Sequence, residues 1–586
     1  MLYNKAIAFM HNCRYNIFVI DDGEGDSRME IKPSLNMQWY YNEDKYSDGD
    51  VEDDIIKYIK ENEPEDYDKV IMENYNWPVF YHLTHIRKNI LNWYPFKKDA
   101  SVLEIGCGLG AITGLLCDRC AKVTAVELSK RRATAAQLRC REKDNLEIIV
   151  GNLNDIEFTE KYDYITLIGV LEYQGTFTDS ENPYKDFLMK IKSLLKEDGK
   201  LLIAIENKYG AKYWCGATED HTGIPFDGIN QYRISGKHVR TFAKEELREL
   251  LNDSGFEDTY FYYPLPDYKL PSVIYSEKYL PKNTLENMTP YYIPTAGTLI
   301  ADEKNLYKDL IKNNVFEFFA NSFLVECSVE KQEDEKNIFA LLNTRRQKEY
   351  RIGTVINSAG EVSKFALNED ANIYRHLEST HNNMQKLAER GINIVPYSIE
   401  NHSLKSQYLT NATLCELIYE AAKKRDEKRF YSLWDEILEK VEAASDEVEQ
   451  KQCIIYEFGL DQYTEEKKYG KIVAEGYLDM IPRNCFVQDN ELMWIDQEWI
   501  LENVPSKYVL FRGLLESYNS FPDMHDMIPF VDVIRHYGID EHFNVFATLN
   551  RLFINMVIDP NYAGIFSETV NKDIYQINIG KILSNK

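Results

Sequence analysis

Along the first half of the chain, the hydrophobic pattern switches repeatedly between strand and helix spacing. Short apolar runs at Ser101 to Ile105, Lys122 to Glu127, Glu147 to Val150, Tyr162 to Ile168 and Lys200 to Glu206 predict buried strands. Between them, Lys130 to Asp144 and Tyr184 to Leu195 read as helices, and Trp77 to Phe96 reads as a helix leading into the first strand before Pro95 and Lys97 to Asp99 break the pattern. Strands that alternate with helices imply a parallel sheet covered on both faces.

After Gly255 two further strands are predicted, at Phe256 to Tyr263 and Phe318 to Cys327, and they would close the sheet. A Pro-rich insertion at about 264–317 separates them, with Pro264, Pro266, Pro271, Pro281, Pro290 and Pro294. Glu330 to Lys336 carries no apolar residue to bury and therefore reads as a linker. Beyond it, Asn337 to Leu367 predicts three strands, with a turn at Asn357 to Gly360 between the last two, and mostly helical sequence follows. The expected domains are an amino-terminal extension over 1–64 without a recognisable motif, an α/β domain over 65–329 and an α+β domain over 337–586.

Composition narrows the functional classes. A chain of 586 residues is long enough for two or three domains. The formal net charge of -27 opposes binding to a phosphate backbone, so no nucleic-acid partner is expected. No stretch approaches the roughly 18 consecutive apolar residues of a spanning helix. Polar residues such as Asn4, Lys5, His11 and Arg14 interrupt Met1 to Ile20, which is therefore not expected to be a signal peptide. The chain is expected in the cytoplasm, with any membrane contact peripheral and at the inner face. The 10 cysteines are scattered; Cys117 and Cys120 fall on one face of a helix, with Cys140 the other neighbour, and are read as buried residues rather than zinc ligands.

The chemistry begins at Val102 to Gly110, where an apolar strand runs into a loop carrying Gly106, Gly108 and Gly110. Glycines suit a place where the backbone bends sharply and approaches a ligand. Taken alone, the loop also satisfies a loose dinucleotide fingerprint with a pyrophosphate at the helix start. Glu127 ends the second strand, where a carboxylate can accept both ribose hydroxyl protons in either kind of site.

The ordered set of motifs resembles the class I methyltransferases that use S-adenosyl-L-methionine (SAM). In that resemblance Glu104 to Gly110 is the first motif, and Glu104 helps to hold the methionine amine. Glu127 takes the ribose, and Asn152 with Leu153 meets the adenine, although the family more often has Asp where this chain has Asn152. Tyr162 to Tyr173 is similar to the fourth motif, placing Leu171, Glu172 and Tyr173 beside the methyl sulfur. Lys196 to Ile205 is similar to the fifth strand, and the runs around Phe256 and Phe318 are similar to the antiparallel closing strands. The implied fold is a Rossmann-like sheet with an antiparallel terminal strand. Glu206 to Tyr232 follows the fifth strand and gathers Asn207, Lys208, Tyr209, Glu219, Asp220, His221 and Tyr232, a plausible acceptor pocket. Its EN-x-x-G-x-KY and EDHTG segments resemble loops of methyltransferases associated with bacterial surface-glycan synthesis, which implies a sugar acceptor and His221 as catalytic base.

A second resemblance lies at Gly476 to Phe486 and Met493 to Glu498, which are similar to the catalytic core of protein kinases and aminoglycoside-type phosphotransferases. It implies a bilobal kinase-like domain with Asp479 as catalytic base, Asn484 and Asp496 as ligands of Mg2+, and Lys364 on the third strand as the ATP phosphate partner, with Glu378 positioned to pair with it. The chain departs from the pattern in Asn343 to Gln347, which lacks the covering glycines and offers Arg345 and Arg346 instead. It departs again at Tyr477 and Leu478 before the base, and in having no glycine after Asp496.

The two domains in series resemble bacterial enzymes that methylate and phosphorylate the growing end of a lipid-linked polysaccharide. That resemblance implies SAM, with ATP and Mg2+ as further cofactors, a glycan or lipid-linked oligosaccharide acceptor, and membrane-associated glycosyltransferases as partners. Two alternatives have the same domain content: a methyltransferase with a non-catalytic pseudokinase domain, and a binding scaffold in a glycan assembly complex.

Overall fold

The computed structural model describes residues 31–41, 49, 51–176, 180–236, 238–282, 301–466, 468–489 and 491–560. The expectations for Met1 to Ile20, for Pro290 and Pro294 and for the last residues of the second domain lie outside these. The described chain divides into two units, 31–342 and 343–560.

The strands of the first unit are β1 (Ser34–Asn36), β2 (Ser101–Ile105), β3 (Lys122–Glu127), β4 (Leu146–Val150), β5 (Tyr162–Ile168), β6 (Leu195–Glu206), β7 (Asp258–Leu265), β8 (Val273–Ser276), β9 (Ser322–Ser328) and β10 (Asn337–Leu342). They join in the order β1-β4-β3-β2-β5-β6-β9-β7-β8-β10. β1 to β6 pair in parallel, and β9 inserts antiparallel between β6 and β7. This is a Rossmann-like sheet in which the strand order reverses beside β2. Helices Thr113–Arg119, Lys130–Arg139, Pro183–Ser193 and Lys244–Asp253 cover it. Leu103, Ile165, Leu167, Leu201, Ile203 and Ile205 are fully buried, as strands covered on both faces require.

Three expectations are corrected. The Phe316–Phe319 segment is a helical turn and β9 begins only at Ser322, so the predicted strand from Phe318 starts too early. β10 was assigned to the second domain, yet it pairs antiparallel with β8, Ala340 opposite Ile274, and belongs to the first unit. The amino-terminal segment is not a separate extension from residue 31 onward. β1 pairs in parallel with β4, Ser34 opposite Glu147, and helix Val51–Glu61 buries Glu52 against Arg131 and Arg132 of the helix that follows β3.

In the second unit β11 (Ile352–Asn357), β12 (Glu361–Ala366), β13 (Tyr397–Glu400) and β14 (Ser403–Gln407) form antiparallel pairs in the order β11-β12-β14-β13. The turn between β11 and β12 carries Gly360 at φ +84°, a conformation that glycine adopts without strain. Helix Ala371–Glu389 packs Ile373 and Leu377 on this sheet against Ile352 and Leu404. The remainder is mostly helical, with Trp434, Trp494 and Phe511 in its core, and carries β15 (Glu447–Val448), β16 (Ile472–Tyr477), β17 (Cys485–Gln488), β18 (Glu491–Trp494) and β19 (Ile500–Pro505).

Candidate cofactor and acceptor site

A cavity of about 880 Å³ opens at the carboxyl ends of β2, β3, β5 and β6. That is a size typical of small-molecule sites, placed where open α/β sheets keep them. Its floor is the loop after β2. Gly106, Gly108 and Gly110 all have positive φ, at +74°, +56° and +74°. A Cβ on Gly106 would lie 2.6 Å from Val170 Cγ2, whereas one on Gly108 would meet nothing within 4 Å, so a strip of bare backbone faces the cavity there. Gly110 differs from the expectation. It does not line the cavity, and its Cβ would lie 2.9 Å from Ala136 Cα, so its role is to let helix Lys130–Arg139 approach the loop.

Glu127, the last residue of β3, folds its carboxylate back over this loop. Oε2 accepts from Gly108 N–H at 2.8 Å and Oε1 from Ser129 N–H at 3.0 Å. Burial raises its pKa, and the two backbone donors and Arg132 oppose that rise. Asn152 and Leu153 lie on the wall beside Glu127, and the Asn152 side chain accepts from Asn154 N–H at 3.0 Å. Glu104 faces a recess of about 30 Å³ that shares Gly106, Cys107 and Ile105 with the main cavity. Burial pushes its carboxyl up to about 7, and its Oε2 is buried without a hydrogen-bond partner.

The other end of the cavity is lined by Glu172 and Tyr173 from the turn after β5, Glu206 at the end of β6, and Glu219, Asp220 and His221 from the loop beyond. His221 Nδ1 lies 3.1 Å from the Tyr173 hydroxyl and Nε2 lies 3.6 Å from Glu206 Oε2. Burial works against charge on the imidazole, but Glu206 and then Glu172 outweigh it and push it up to about 9. Glu172 is pushed up to about 8 by burial and by Glu206. Glu206 moves the other way: despite its burial, Lys269 and His221 hold it ionised.

Asn207, Lys208, Tyr209 and Tyr232 do not line the cavity, contrary to expectation. Asn207 donates to the carbonyls of Phe318 and Ala320 at 2.8 Å each, Lys208 pairs with Glu246 at 2.7 Å, and Tyr209 stacks on Phe318. The Tyr232 hydroxyl braces Glu219 from behind at 3.1 Å.

In their place stand residues with no motif. Asp267, Tyr268 and Lys269, from the start of the Pro-rich insertion, reach the acceptor end, and Trp77, Tyr81 and Arg87 also line the cavity, with Arg87 donating to the Lys269 carbonyl at 3.2 Å. Lys212 bridges Asp220 and Asp267 at 2.9 and 2.7 Å, and Lys269 bridges Glu206 and Asp220. Cys117, Cys120 and Cys140 are buried free thiols.

In the second unit, Lys364 Nζ lies 2.8 Å from Asp496 and 3.1 Å from Glu498. Glu378 is exposed and does not take the expected place; the same helix instead brings His376 to 3.3 Å from Glu498, which Arg346 also grips at 2.5 Å. Burial disfavours charge on Glu498, but Arg346 and Lys364 hold it well below the usual carboxylate range. Asp479 Oδ2 accepts from Glu498 N–H at 3.1 Å, and burial with the nearby Glu498 charge pushes its carboxyl up to about 7. The Asn484 amide donates to the Asp479 carbonyl at 3.2 Å.

The glycine loop, the carboxylate closing the next strand and the antiparallel β9 define a class I SAM-dependent methyltransferase domain. The chain belongs to the methyltransferase family: the family model described as "Methyltransferase domain" matches residues 79–260, and an uncharacterized methyltransferase of Staphylococcus carnosus is 31% identical over 166 residues, 28% of this chain and 74% of that protein. The malonyl-[acyl-carrier protein] O-methyltransferase of Priestia megaterium is 29% identical over 124 residues, 21% of this chain and 42% of that enzyme. The solved N-methyltransferase NodS of Bradyrhizobium japonicum in complex with S-adenosyl-L-homocysteine is similar at 16% identity and a TM-score of 0.23, covering 33% of this chain and 86% of that one. The chain spans about a quarter to a half of the length of several curated relatives it matches.

Proposed function

We propose that the first unit transfers a methyl group from SAM to a hydroxyl of a bacterial surface glycan or of its lipid-linked precursor. The observation that carries the methyl-donor half is the bare backbone at Gly108 next to the Glu127 carboxylate. The residues fit the cofactor: Glu127 would take the ribose hydroxyls, Asn152 and Leu153 the adenine, and the buried Glu104 Oε2 the amine end. When bound, SAM supplies an electrophilic methyl on a sulfonium. What the protein adds is alignment of the nucleophile, exclusion of water and removal of one proton. His221 performs the last step only in its neutral form, which Glu206 and Glu172 disfavour until the acceptor displaces or screens them.

The acceptor end supports a polyhydroxyl substrate. Its wall is a lattice of acids bridged by Lys212 and Lys269, rich in groups that exchange hydrogen bonds with hydroxyls. The excess of carboxylates disfavours a phosphate as the methylated group. Mass spectrometry of surface glycan from strains with and without the gene tests this: loss of a methyl group with the gene supports the reading, and an unchanged glycan refutes it.

A second reading concerns the second unit: a kinase-like phosphotransferase acting on the same glycan with ATP and Mg2+. The gathering of Lys364 between Asp496 and Glu498, with Asp479 accepting from the Glu498 N–H, favours it. In that reading Asp479 receives the hydroxyl proton and Asp496 with Asn484 holds the metal. Thermal shift of the full chain by ATP with Mg2+, lost in Asp496→Asn, is the expected result; no shift in the unmodified protein refutes it.

A further inference from the structure

We propose that Glu172, Glu206 and His221 form a binding site for a divalent first-row transition cation at the acceptor end of the methyltransferase cavity. One ligand atom from each lies within 4.8 Å of the other two, and among the described residues no other group of His, Cys, Asp or Glu side chains meets that spacing. Around an ion with bonds of about 2.0–2.2 Å, neighbouring ligand atoms sit about 3.0–3.6 Å apart; His221 Nε2 and Glu206 Oε2, at 3.6 Å, already have that separation, and rotation of the Glu172 side chain would complete the set. The three groups come from the turn after β5, the end of β6 and the following loop, and all face the same cavity.

A second observation, independent of the spacing, points to a ligand. Glu172 is 1% exposed and belongs to the cluster, and its Oε2 is buried with no hydrogen-bond partner. A buried carboxylate oxygen left unsatisfied is costly and calls for a partner. Glu206 divides its two oxygens. Oε1 receives Lys269 and, at 3.2 Å, the Tyr268 hydroxyl, while Oε2 faces His221 Nε2 at 3.6 Å.

The donor set indicates the metal. Two carboxylate oxygens alone would suit Mg2+ or Ca2+, and the imidazole shifts preference toward Mn2+ or Zn2+. Only three protein ligands converge, so a bound ion would keep open positions on the cavity side, where acceptor oxygens bind. There it would polarise a hydroxyl for attack and fix its orientation, and with the ion bound His221 would serve as a ligand in place of its role as base. The site stands on its own whether or not the acceptor is a glycan.

The test is Mn2+ binding to the chelator-stripped full-length protein, counted by electron paramagnetic resonance. Asp496→Asn is included to separate any site in the second unit. The unmodified protein is expected to bind one Mn2+ more than Glu172→Gln, and Asp496→Asn is expected to keep that ion. His221→Asn serves as a second variant if Glu172→Gln fails to give a native circular dichroism spectrum. Equal Mn2+ stoichiometry in the unmodified protein and in whichever of the two variants is folded overturns the proposal, as does the absence of any bound Mn2+.

Discussion

Glu127 and Gly108 are joined by a 2.8 Å hydrogen bond from the glycine amide to the carboxylate, so the end of β3 and the loop after β2 form one rigid cradle. The bond explains why an acid at the end of one strand and a glycine after its neighbour serve a single site. Replacing the carboxylate removes a charge-assisted acceptor both from the loop and from the ribose it would hold. Each such bond contributes about 1.5–3 kcal/mol. Glu127→Ala is therefore expected to weaken SAM binding by about 10- to 100-fold in calorimetric titration, and an unchanged affinity would remove Glu127 from the site.

Gly108 and Gly110 separate binding from folding. At Gly110 an added Cβ meets the helix backbone of Ala136 at 2.9 Å, in a left-handed conformation that already disfavours side chains. Gly110→Ala should lower stability by about 2–3 kcal/mol. At Gly108 the added methyl meets only the cavity. Gly108→Ala should lose less stability and more SAM affinity. Thermal melts combined with SAM titration check the pair, and equal loss of affinity per unit of stability in both would contradict it.

His221 makes stability depend on pH in a defined direction. Its imidazole is pushed up to about 9 in the folded protein, whereas an unfolded histidine titrates near 6.5. The folded state binds the proton more tightly, so the stabilisation is full below about pH 6.5 and is lost as pH rises through about 9. In chelator, the melting-temperature gap between the unmodified protein and His221→Ala should be wider at pH 6 than at pH 9.5. A gap that widens with pH would contradict the assigned surroundings.

Glu52 ties the amino-terminal helix to the cofactor domain. It is fully buried, and Arg132 reaches it through Nε at 2.8 Å and a second guanidinium nitrogen at 2.5 Å. Breaking a buried pair outright costs about 3–5 kcal/mol, and Arg132→Ala leaves the Glu52 carboxylate to Arg131 alone, so a loss below that range is expected. Arg132→Ala should lower the melting temperature sharply, and the double variant with Glu52→Gln should recover part of the loss. A double variant no better than the single one would show that the pair is not the source of the cost.

The parallel core of the first unit was legible because buried strands of four to eight apolar residues separated by helices leave a repeating signature. β2, β3 and β5 have the bounds their hydrophobic runs predict. The run Phe316–Phe319 was ambiguous because four nearly continuous apolar residues fit a helical turn and a strand equally. The place of β10 in the first unit is hidden in the sequence because its pairing with β8 depends on a partner about 60 residues earlier, and no local pattern records that contact. The same reason hides Asp267, Tyr268 and Lys269, which enter the site from an insertion whose prolines signal only irregular chain. Glu498 carries no motif of its own, since the pattern marks Asp496 two residues earlier, and Arg346, Lys364 and His376 converge on it only in three dimensions.

Titration of SAM into the full-length protein tests the central claim most directly. One equivalent should bind per chain, with NAD producing no heat under the same conditions. Saturable binding of NAD, or no binding of SAM, would contradict the account.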